Sequence, residues 1–174
     1  SYPWTIPNAL SSKVVVRVSD ASGPAFGDSA EFAISGRLTV TGPVAPNDTF
    51  TVTGAMPIAW TTQGTISTVD LEYSLNGGTS WLPIASGVAN ADSYSWNPIP
   101  LTAIANNLRV RVVDADGLSG GTHAFTEGRS GVLHVGAKFT FGSPAGGESW
   151  AVNEDHAIGW GVLAEVPGRE IVLG

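Results

Sequence analysis

Cysteine is absent from the 174 residues of this chain, and lysine occurs only at Lys13 and Lys138. The lack of cysteine excludes disulfide bonds and thiolate-ligated zinc. The scarcity of basic residues and the net charge of −7 argue against a phosphate-binding surface, so nucleic acid and anionic membranes are not expected partners. No apolar run approaches the length of a membrane span, and no amphipathic helical pattern is visible.

Residues suited to catalysis or metal binding are also sparse. The three histidines, His123, His134 and His156, share no metal-ligand spacing, and no serine lies in a nucleophile elbow. No histidine or carboxylate pair is placed for acid–base chemistry. The sequence therefore predicts a protein that is not an enzyme and has no cofactor, with calcium as the one metal to consider.

The chain is rich instead in short alternating strands separated by turns. Only 13% of the residues are charged, whereas there are 22 glycines and 11 prolines, which is typical of many strands joined by turns. In residues 69–81, Val69, Leu71 and Tyr73 alternate with polar residues before Asn76-Gly77. Asn-Gly at this place predicts a hairpin with a type I′ turn, in which both residues take a positive φ.

Between residues 37 and 136 the pattern predicts seven or eight strands, near 37–42, 49–53, 56–61, 68–75, 80–85, 92–97, 107–114 and 130–135. In the strand at 107–114, Val110 faces a core and Arg111 faces outward, as period-two alternation requires. The large aromatic side chains expected in that core are Trp60, Tyr73, Trp81, Tyr94 and Trp96. Strands this short, punctuated by turns, predict an all-β sandwich rather than a parallel α/β sheet.

Segments of the chain recur at a spacing of about one hundred residues, the size of one sandwich repeat. The matching segments are 1–4 with 93–96, 14–21 with 108–115, and 38–60 with 139–160. The sequence predicts a complete repeat at 37–136, the C-terminal half of a repeat at 1–36 and the N-terminal half of a further repeat at 137–174. Either the chain is an excerpt of a longer polypeptide, or one subunit's tail pairs with the next subunit's head. The halves together lack a counterpart of roughly 75–92, which favours the excerpt.

Three motifs follow one another in the predicted complete repeat: Tyr-Ser-x-Asn-Gly-Gly-x-Ser-Trp at 73–81, Tyr-x-Trp-x-Pro at 94–98 and Val-Arg-Val-x-Asp-Ala at 110–115. This order resembles the immunoglobulin-like or fibronectin-III-like repeats of large bacterial and archaeal surface proteins. It is also similar to the Ser/Thr-rich domain of fungal cell-wall-assembly proteins.

That resemblance implies tandem immunoglobulin-like β-sandwich repeats at the cell surface or outside the cell, with a structural role in a fibre or surface layer. Neighbouring copies of the protein or adjacent repeats are then the expected partners. An adhesin module that binds carbohydrate or cells, or an accessory domain of a secreted hydrolase, is the alternative.

The segment from Ser74 to Trp81 is also similar to the Asp-box of sialidases, with Asn76 in place of Asp and Ser80 in place of Thr. In those families the box is a structural hairpin remote from the catalytic site. It recurs there in several propeller blades, whereas this chain has one copy and a repeat too long for a blade.

Two stretches are candidates for binding. Asp114 and Asp116 resemble the start of a calcium loop, although no Glu stands at the twelfth position, and a strand-ending turn bonded to the local backbone is the alternative. The loop after Asp114 is seven residues longer than its counterpart after Asp20. It contains His123, Phe125 and Arg129 as candidate binding residues, and a tolerated insertion explains it equally well.

Overall fold

The computed structural model describes residues 1–43, 48–118 and 126–163. Regular structure in these ranges is almost entirely β, apart from a 3₁₀ turn at Leu101–Ala103 and a one-turn helix α1 at Ala115–Leu118. The strands are β1 (Ser11–Val14), β2 (Arg17–Ser19), β3 (Phe26–Asp28), β4 (Phe32–Ile34), β5 (Arg37–Gly42), β6 (Asp48–Thr51), β7 (Met56–Gln63), β8 (Thr68–Ser74), β9 (Leu82–Ala89), β10 (Ser93–Trp96), β11 (Ala105–Asp114), β12 (Glu127–Arg129), β13 (Leu133–Gly136), β14 (Lys138–Ser143) and β15 (Gly159–Leu163). The prediction of an all-β fold is confirmed.

The central segment, residues 37–136, is a sandwich of two sheets. The smaller sheet has the order β10-β7-β5, and the larger has the order β6-β13-β11-β8-β9, with β12 also paired to β11. β6 and β13 run parallel, whereas the remaining neighbours in both sheets are antiparallel. β11 is long enough to pair with β13 through its first half and with β12 through its second half.

The core lies between the two sheets and takes alternate residues from their strands. Trp60 of β7, Tyr73 of β8, Trp96 of β10 and Val110 of β11 are buried in one cluster, which confirms the predicted common core. The indole N–H of Trp60 donates to Oδ1 of Asn90 at 2.7 Å. The indole N–H of this buried tryptophan therefore has a hydrogen-bond partner, as a buried donor requires.

Two details of the predicted core are corrected. Trp81 is half-buried and lies outside the core cluster, because it ends the loop before β9 rather than occupying an inward strand position. Tyr94 is also half-buried, and it packs against the cluster.

The strand bounds also differ from the prediction at two places. The strand predicted at 80–85 begins later and is longer, as β9, and the short strand β12 was not predicted.

The predicted type I′ turn at Asn76-Gly77 is wrong. The loop between β8 and β9 spans residues 75–81, and the positive φ angles belong to Gly77 (72°) and Gly78 (101°) rather than to Asn76. Oδ1 of Asn76 accepts hydrogen bonds from the Ser74 hydroxyl at 2.8 Å and from the backbone N–H groups of Thr79 (3.1 Å) and Ser80 (2.9 Å). The asparagine thus organises the loop through its side chain, an alternative that short polar side chains offer to a backbone turn.

The amino-terminal piece, residues 1–36, pairs its strands as the second half of the central segment does. Its ladders are Ser11–Ile34, Val14–Phe32, Arg17–Asp28, Val18–Gly27 and Ser19–Phe26. The central ladders are Ala105–Val135, Leu108–Leu133, Arg111–Arg129, Val112–Gly128 and Val113–Glu127. The difference in residue number between corresponding positions of the two pieces is constant along each strand. The hydroxyls of Ser29 and Ser130 each accept a hydrogen bond at 3.0 Å, from the N–H groups of Val16 and Val110.

The described part of the carboxy-terminal piece, residues 137–163, pairs its strands as the first half of the central segment does. The β14–β15 ladder is Lys138–Leu163, Phe139–Val162, Thr140–Gly161, Phe141–Trp160 and Ser143–Gly159. The β5–β7 ladder is Arg37–Gln63, Leu38–Thr62, Thr39–Thr61, Val40–Trp60 and Gly42–Ala59. A shift in register occurs at corresponding positions near the end of both ladders. Thr53 and Asn153, which also correspond, have positive φ angles of 62° and 69°.

The aromatic residues of the two end pieces lie outside the central core. Trp4 is 45% exposed and Trp160 is 41% exposed, whereas Trp60 is 2% exposed. Trp4 packs edge-on against Phe32 of its own piece, with ring centroids 6.3 Å apart. The division into one complete and two half repeats stays a prediction. Across the described ranges, no helix reaches the length and apolar character that a membrane crossing requires.

We expect Trp60→Ala to lower the free energy of unfolding of the central sandwich by about 3–5 kcal/mol, because it leaves a large cavity between the sheets. Urea unfolding followed by circular dichroism at low protein concentration measures this loss. Trp160→Ala, at the corresponding position of β15, is the matched control and should cost less than about 1 kcal/mol. Equal losses would contradict the placement of Trp60 in the core.

Candidate functional site

The most concentrated group of charges in the described chain lies on the outer face of the larger sheet. Arg111 stands directly opposite Glu72 on β8 and directly opposite Arg129 on β12. Since these residues share one row and one face of the sheet, their side chains meet above it. Glu127 and Trp81 complete the group, which we call the arginine–tryptophan ladder.

Arg111 is the hub of the ladder. Its Nε donates to Oε2 of Glu72 and its Nη1 donates to Oε2 of Glu127 at 2.9 Å. Glu127 also accepts from Nε of Arg129 at 2.7 Å. The Arg111 and Glu72 side chains are only 15% and 17% exposed, whereas Arg129 is 47% exposed. The inner pair is therefore largely desolvated, and the outer arginine remains at the surface.

Trp81 supplies the platform under the two arginines. The guanidinium carbon of Arg111 lies 4.4 Å from the centroid of the Trp81 ring, and that of Arg129 lies 5.4 Å away. Both distances fall within the range of cation–π attraction. A Cβ on Gly78 would lie 3.3 Å from Cζ2 of Trp81. With its φ of 101°, this position favours glycine both for its backbone and for the close approach of the indole.

The ladder holds strands together more than it presents a binding surface. Each glutamate is engaged by a guanidinium group, and one face of the indole is covered by arginine.

Of the three predicted binding residues of the long loop, Arg129 belongs to this ladder, and His123 and Phe125 lie outside the described residues. Sequence reasoning did not group Arg111, Glu72 and Trp81. The outward position of Arg111 was visible, but its partners depend on strand pairing.

The predicted calcium residues belong to a local turn. Asp114 is 1% exposed, and its Oδ1 accepts the backbone N–H of Asp116 at 3.2 Å. Asp20 makes the same contact with the N–H of Ser22 at 2.9 Å in the amino-terminal piece. Within the described ranges, no group of three or more His, Cys, Asp or Glu residues is placed to hold a metal ion. The geometry matches the strand-ending turn, and calcium binding stays a prediction.

The amino-terminal piece contains a simpler version of the arginine–tryptophan ladder. Arg17, the counterpart of Arg111, pairs with Asp28 at 2.7 Å and lies 4.3 Å from the centroid of the Phe26 ring. The hydrogen bond from Arg17 lowers the pKa of the Asp28 carboxyl, and the same bond raises the pKa of Arg17. The contribution of this pair to the β2–β3 ladder is thus present above the ordinary pKa of Asp and is lost as the pH falls through the lowered value.

No protein-family model and no curated protein matches the chain. A solved structure of fibronectin(III)-like modules of Clostridium thermocellum CbhA is similar over 62% of this chain and 52% of that chain, at 17% identity and a TM-score of 0.31. The chain therefore spans about half the length of that structure. A likeness of this size carries no argument about function, and the fold rests on the strand pairing described above.

We expect Arg111→Ala to lower the free energy of unfolding by about 2–4 kcal/mol, because Glu72 and Glu127 would then share a largely desolvated site without a counter-charge. Chemical unfolding monitored by the fluorescence of the tryptophans measures the effect. Arg129→Ala is the matched control, since its exposed side chain should contribute no more than about 1 kcal/mol. A larger loss in the control than in Arg111→Ala would show that the hub is misassigned.

Calcium binding at Asp114 and Asp116 is tested by thermal melts in millimolar calcium and in chelator. We expect equal melting temperatures, because Oδ1 of Asp114 is already used by the backbone of its own turn. A ligand that binds only the folded chain raises the midpoint by mass action. A midpoint that rises with calcium concentration, and no longer does so in Asp116→Asn, would establish the site.

Proposed function

We propose that this chain is a run of tandem immunoglobulin-like β-sandwich repeats from a long extracellular protein, in which it forms a structural segment of a stalk, fibre or surface layer. The observation that carries the proposal is the correspondence of strand registers between the two end pieces and the two halves of the central sandwich. A chain that repeats one sandwich gains length by adding similar units, each with its own core.

The short junctions between the pieces support a structural role. Two residues, Ser35 and Gly36, separate β4 from β5, and Ala137 alone separates β13 from β14. Asn8 adds a contact between the amino-terminal piece and the central sandwich. Its side chain accepts a hydrogen bond from the N–H of Thr65 at 3.0 Å and donates one to the hydroxyl of Thr65 at 2.9 Å. Leu10 packs against the central core. Junctions this short leave little slack when tension is applied along the chain.

The strand order of the central sandwich also suits a load-bearing unit. The chain enters the sandwich at β5 and leaves it through β13, which pairs in parallel with β6, the strand that follows β5. Tension that reaches β6 through β5 therefore pulls β6 and β13 in opposite directions along their length. The hydrogen bonds of a parallel pair loaded in this way must break together rather than one after another.

The face that would suit a carbohydrate-binding adhesin is occupied by charge. Trp81 lies on the outer face of the larger sheet, and Arg111 covers it. The exposed large apolar side chains in the described part of 37–136 are aliphatic: Leu75, Leu82 and Leu101. A sugar ring would need an open aromatic face for stacking, so the structural role is the better supported of the two functions.

Single-molecule pulling on the full chain through its two ends tests the proposal. We expect one dominant unfolding event that releases the roughly one hundred residues of the central sandwich, a gain in contour length of about 330–360 Å less the folded end-to-end distance. The end pieces should extend at lower force, because much of their apolar surface is already in water.

A single event that releases the length of nearly the whole chain would contradict the repeat division, and so would unfolding in several small steps.

The extracellular location is checked with an antibody against the chain. We expect it to label intact cells of the source organism, with an antibody against a cytosolic protein as the control. Labelling that requires permeabilised cells would overturn the location.

A further inference from the structure

We infer that the loop between β7 and β8 of the central sandwich, residues 64–67, is a docking surface for the preceding repeat of the same chain, and that this contact fixes the angle between the two units. The inference rests on the proposed tandem arrangement and adds a defined geometry to it. A short connection limits how far two units can separate, but it does not prevent them from rotating. The contacts beside the connection decide whether they rotate.

Two glycines bring the backbone of the connection against the backbone of the loop. A Cβ on Gly36 would lie 2.9 Å from the carbonyl oxygen of Gln63 and 2.9 Å from Cδ1 of Ile66. A Cβ on Gly64 would lie 3.2 Å from Cα of Gly36. All three distances are shorter than the separation of about 3.5–4.0 Å at which carbon atoms pack without repulsion. A larger residue at either position would therefore push the connection away from the loop.

Leu10 of the amino-terminal piece fills the space beside Gly64. A Cβ on Gly64 would lie 3.2 Å from Cδ2 and 3.4 Å from Cδ1 of Leu10, and the φ of 92° at this position also favours glycine. Leu10 is half-buried and packs against the central core, although it belongs to the preceding piece. Its apolar surface is thus removed from water only while the amino-terminal piece keeps this position.

Asn8 adds a directional contact to the apolar one. Its Oδ1 accepts a hydrogen bond from the N–H of Thr65, and its Nδ2 donates one to Oγ1 of the same residue. Turning the amide over would place its NH₂ group against the N–H of Thr65, which is a donor facing a donor. The pair of hydrogen bonds therefore holds Asn8 in one orientation on the loop.

The loop that receives these contacts is anchored to the central core. Ile66 is 6% exposed and belongs to the core cluster. Its carbonyl oxygen accepts a hydrogen bond from Nδ2 of Asn90 at 3.0 Å, and the N–H of Asn90 donates to the carbonyl oxygen of Ser67 at 3.0 Å. Asn90 also accepts the indole N–H of Trp60. The loop therefore cannot follow the amino-terminal piece without disturbing the core.

Three points of attachment remove the freedom that a peptide connection leaves. Ser35 and Gly36 join the units at one point, about which the preceding repeat could turn through the backbone dihedrals. Leu10 and Asn8 hold the same unit at two further points, so rotation separates the apolar contact, the hydrogen-bonded contact or both. Consecutive repeats therefore keep one angle, and a run of them forms a stiff segment with a regular twist.

Amide hydrogen exchange of the full chain, followed by nuclear magnetic resonance, tests the hydrogen-bonded contact. Thr65 is exposed, so its N–H should be protected only while Asn8 accepts it. We expect Asn8→Ala to speed exchange at Thr65 by about tenfold and to leave urea unfolding of the central sandwich unchanged. Asn107→Ala is the matched control and should leave the rate unchanged, because this exposed asparagine lies on β11 beside Gly77. Equal rates in the parent and in Asn8→Ala would overturn the inference.

Distances between two spin labels, measured by double electron–electron resonance, test the fixed angle. Since the chain has no cysteine, Ser22→Cys and Ser86→Cys, both at exposed positions, place one label on each unit. Ser86→Cys with Ser95→Cys, also exposed, places both labels on the central sandwich and gives the reference width for a rigid body. We expect the two distance distributions to be equally narrow.

Loss of the docking contact should broaden the distribution between the two units and leave the reference pair unchanged. We expect Asn8→Ala combined with Leu10→Ser to widen it to several times the reference width, because the connection alone permits rotation. A parent distribution that is already this broad, or a variant distribution that stays narrow, would overturn the inference. The pulling experiment measures the length that the central sandwich releases, which does not depend on this angle, so the two failures are distinguishable.

Discussion

The antiparallel pairing of β8 with β11 is the interaction on which the central sandwich depends. It joins two stretches that lie far apart in the chain, through six consecutive residue pairs from Arg109–Ser74 to Asp114–Val69. On its inner side it places Tyr73 beside Val110 and Leu71 beside Val112 in the core. On its outer side it places Glu72 beside Arg111. A slip of one residue would exchange the two faces and lose the core and the ion pair together.

That pairing also explains the difference between the central segment and the end pieces. Within each half the ladders form between strands close in the chain, so their register is encoded locally and recurs in residues 11–34 and 138–163. Burial of the core face requires the other half. Fully burying a valine or leucine is worth about 1.5–3 kcal/mol, and this contribution is present at Val112 but absent at Val18, which is exposed.

The hairpin between β8 and β9 shows a limit of rules based on residue pairs. Asn-Gly predicted a two-residue turn because both residues tolerate a positive φ. Instead, Asn76 accepts three hydrogen bonds through its side chain and the loop widens to 75–81. In this wider loop Trp81 does not occupy an inward-facing strand position. Its ring instead forms the platform for Arg111 and Arg129, so it stabilises the outer face rather than the core.

Local sequence patterns predict the all-β class, most of the strands of the central segment, the shared burial of Trp60, Tyr73, Trp96 and Val110, and the outward direction of Arg111. These follow from period-two alternation and from the turn residues, which act over a few neighbouring positions. The grouping of Glu72, Glu127 and Trp81 around Arg111 emerges only in the folded chain, because residues from separate strands meet according to pairing registers that no local pattern contains.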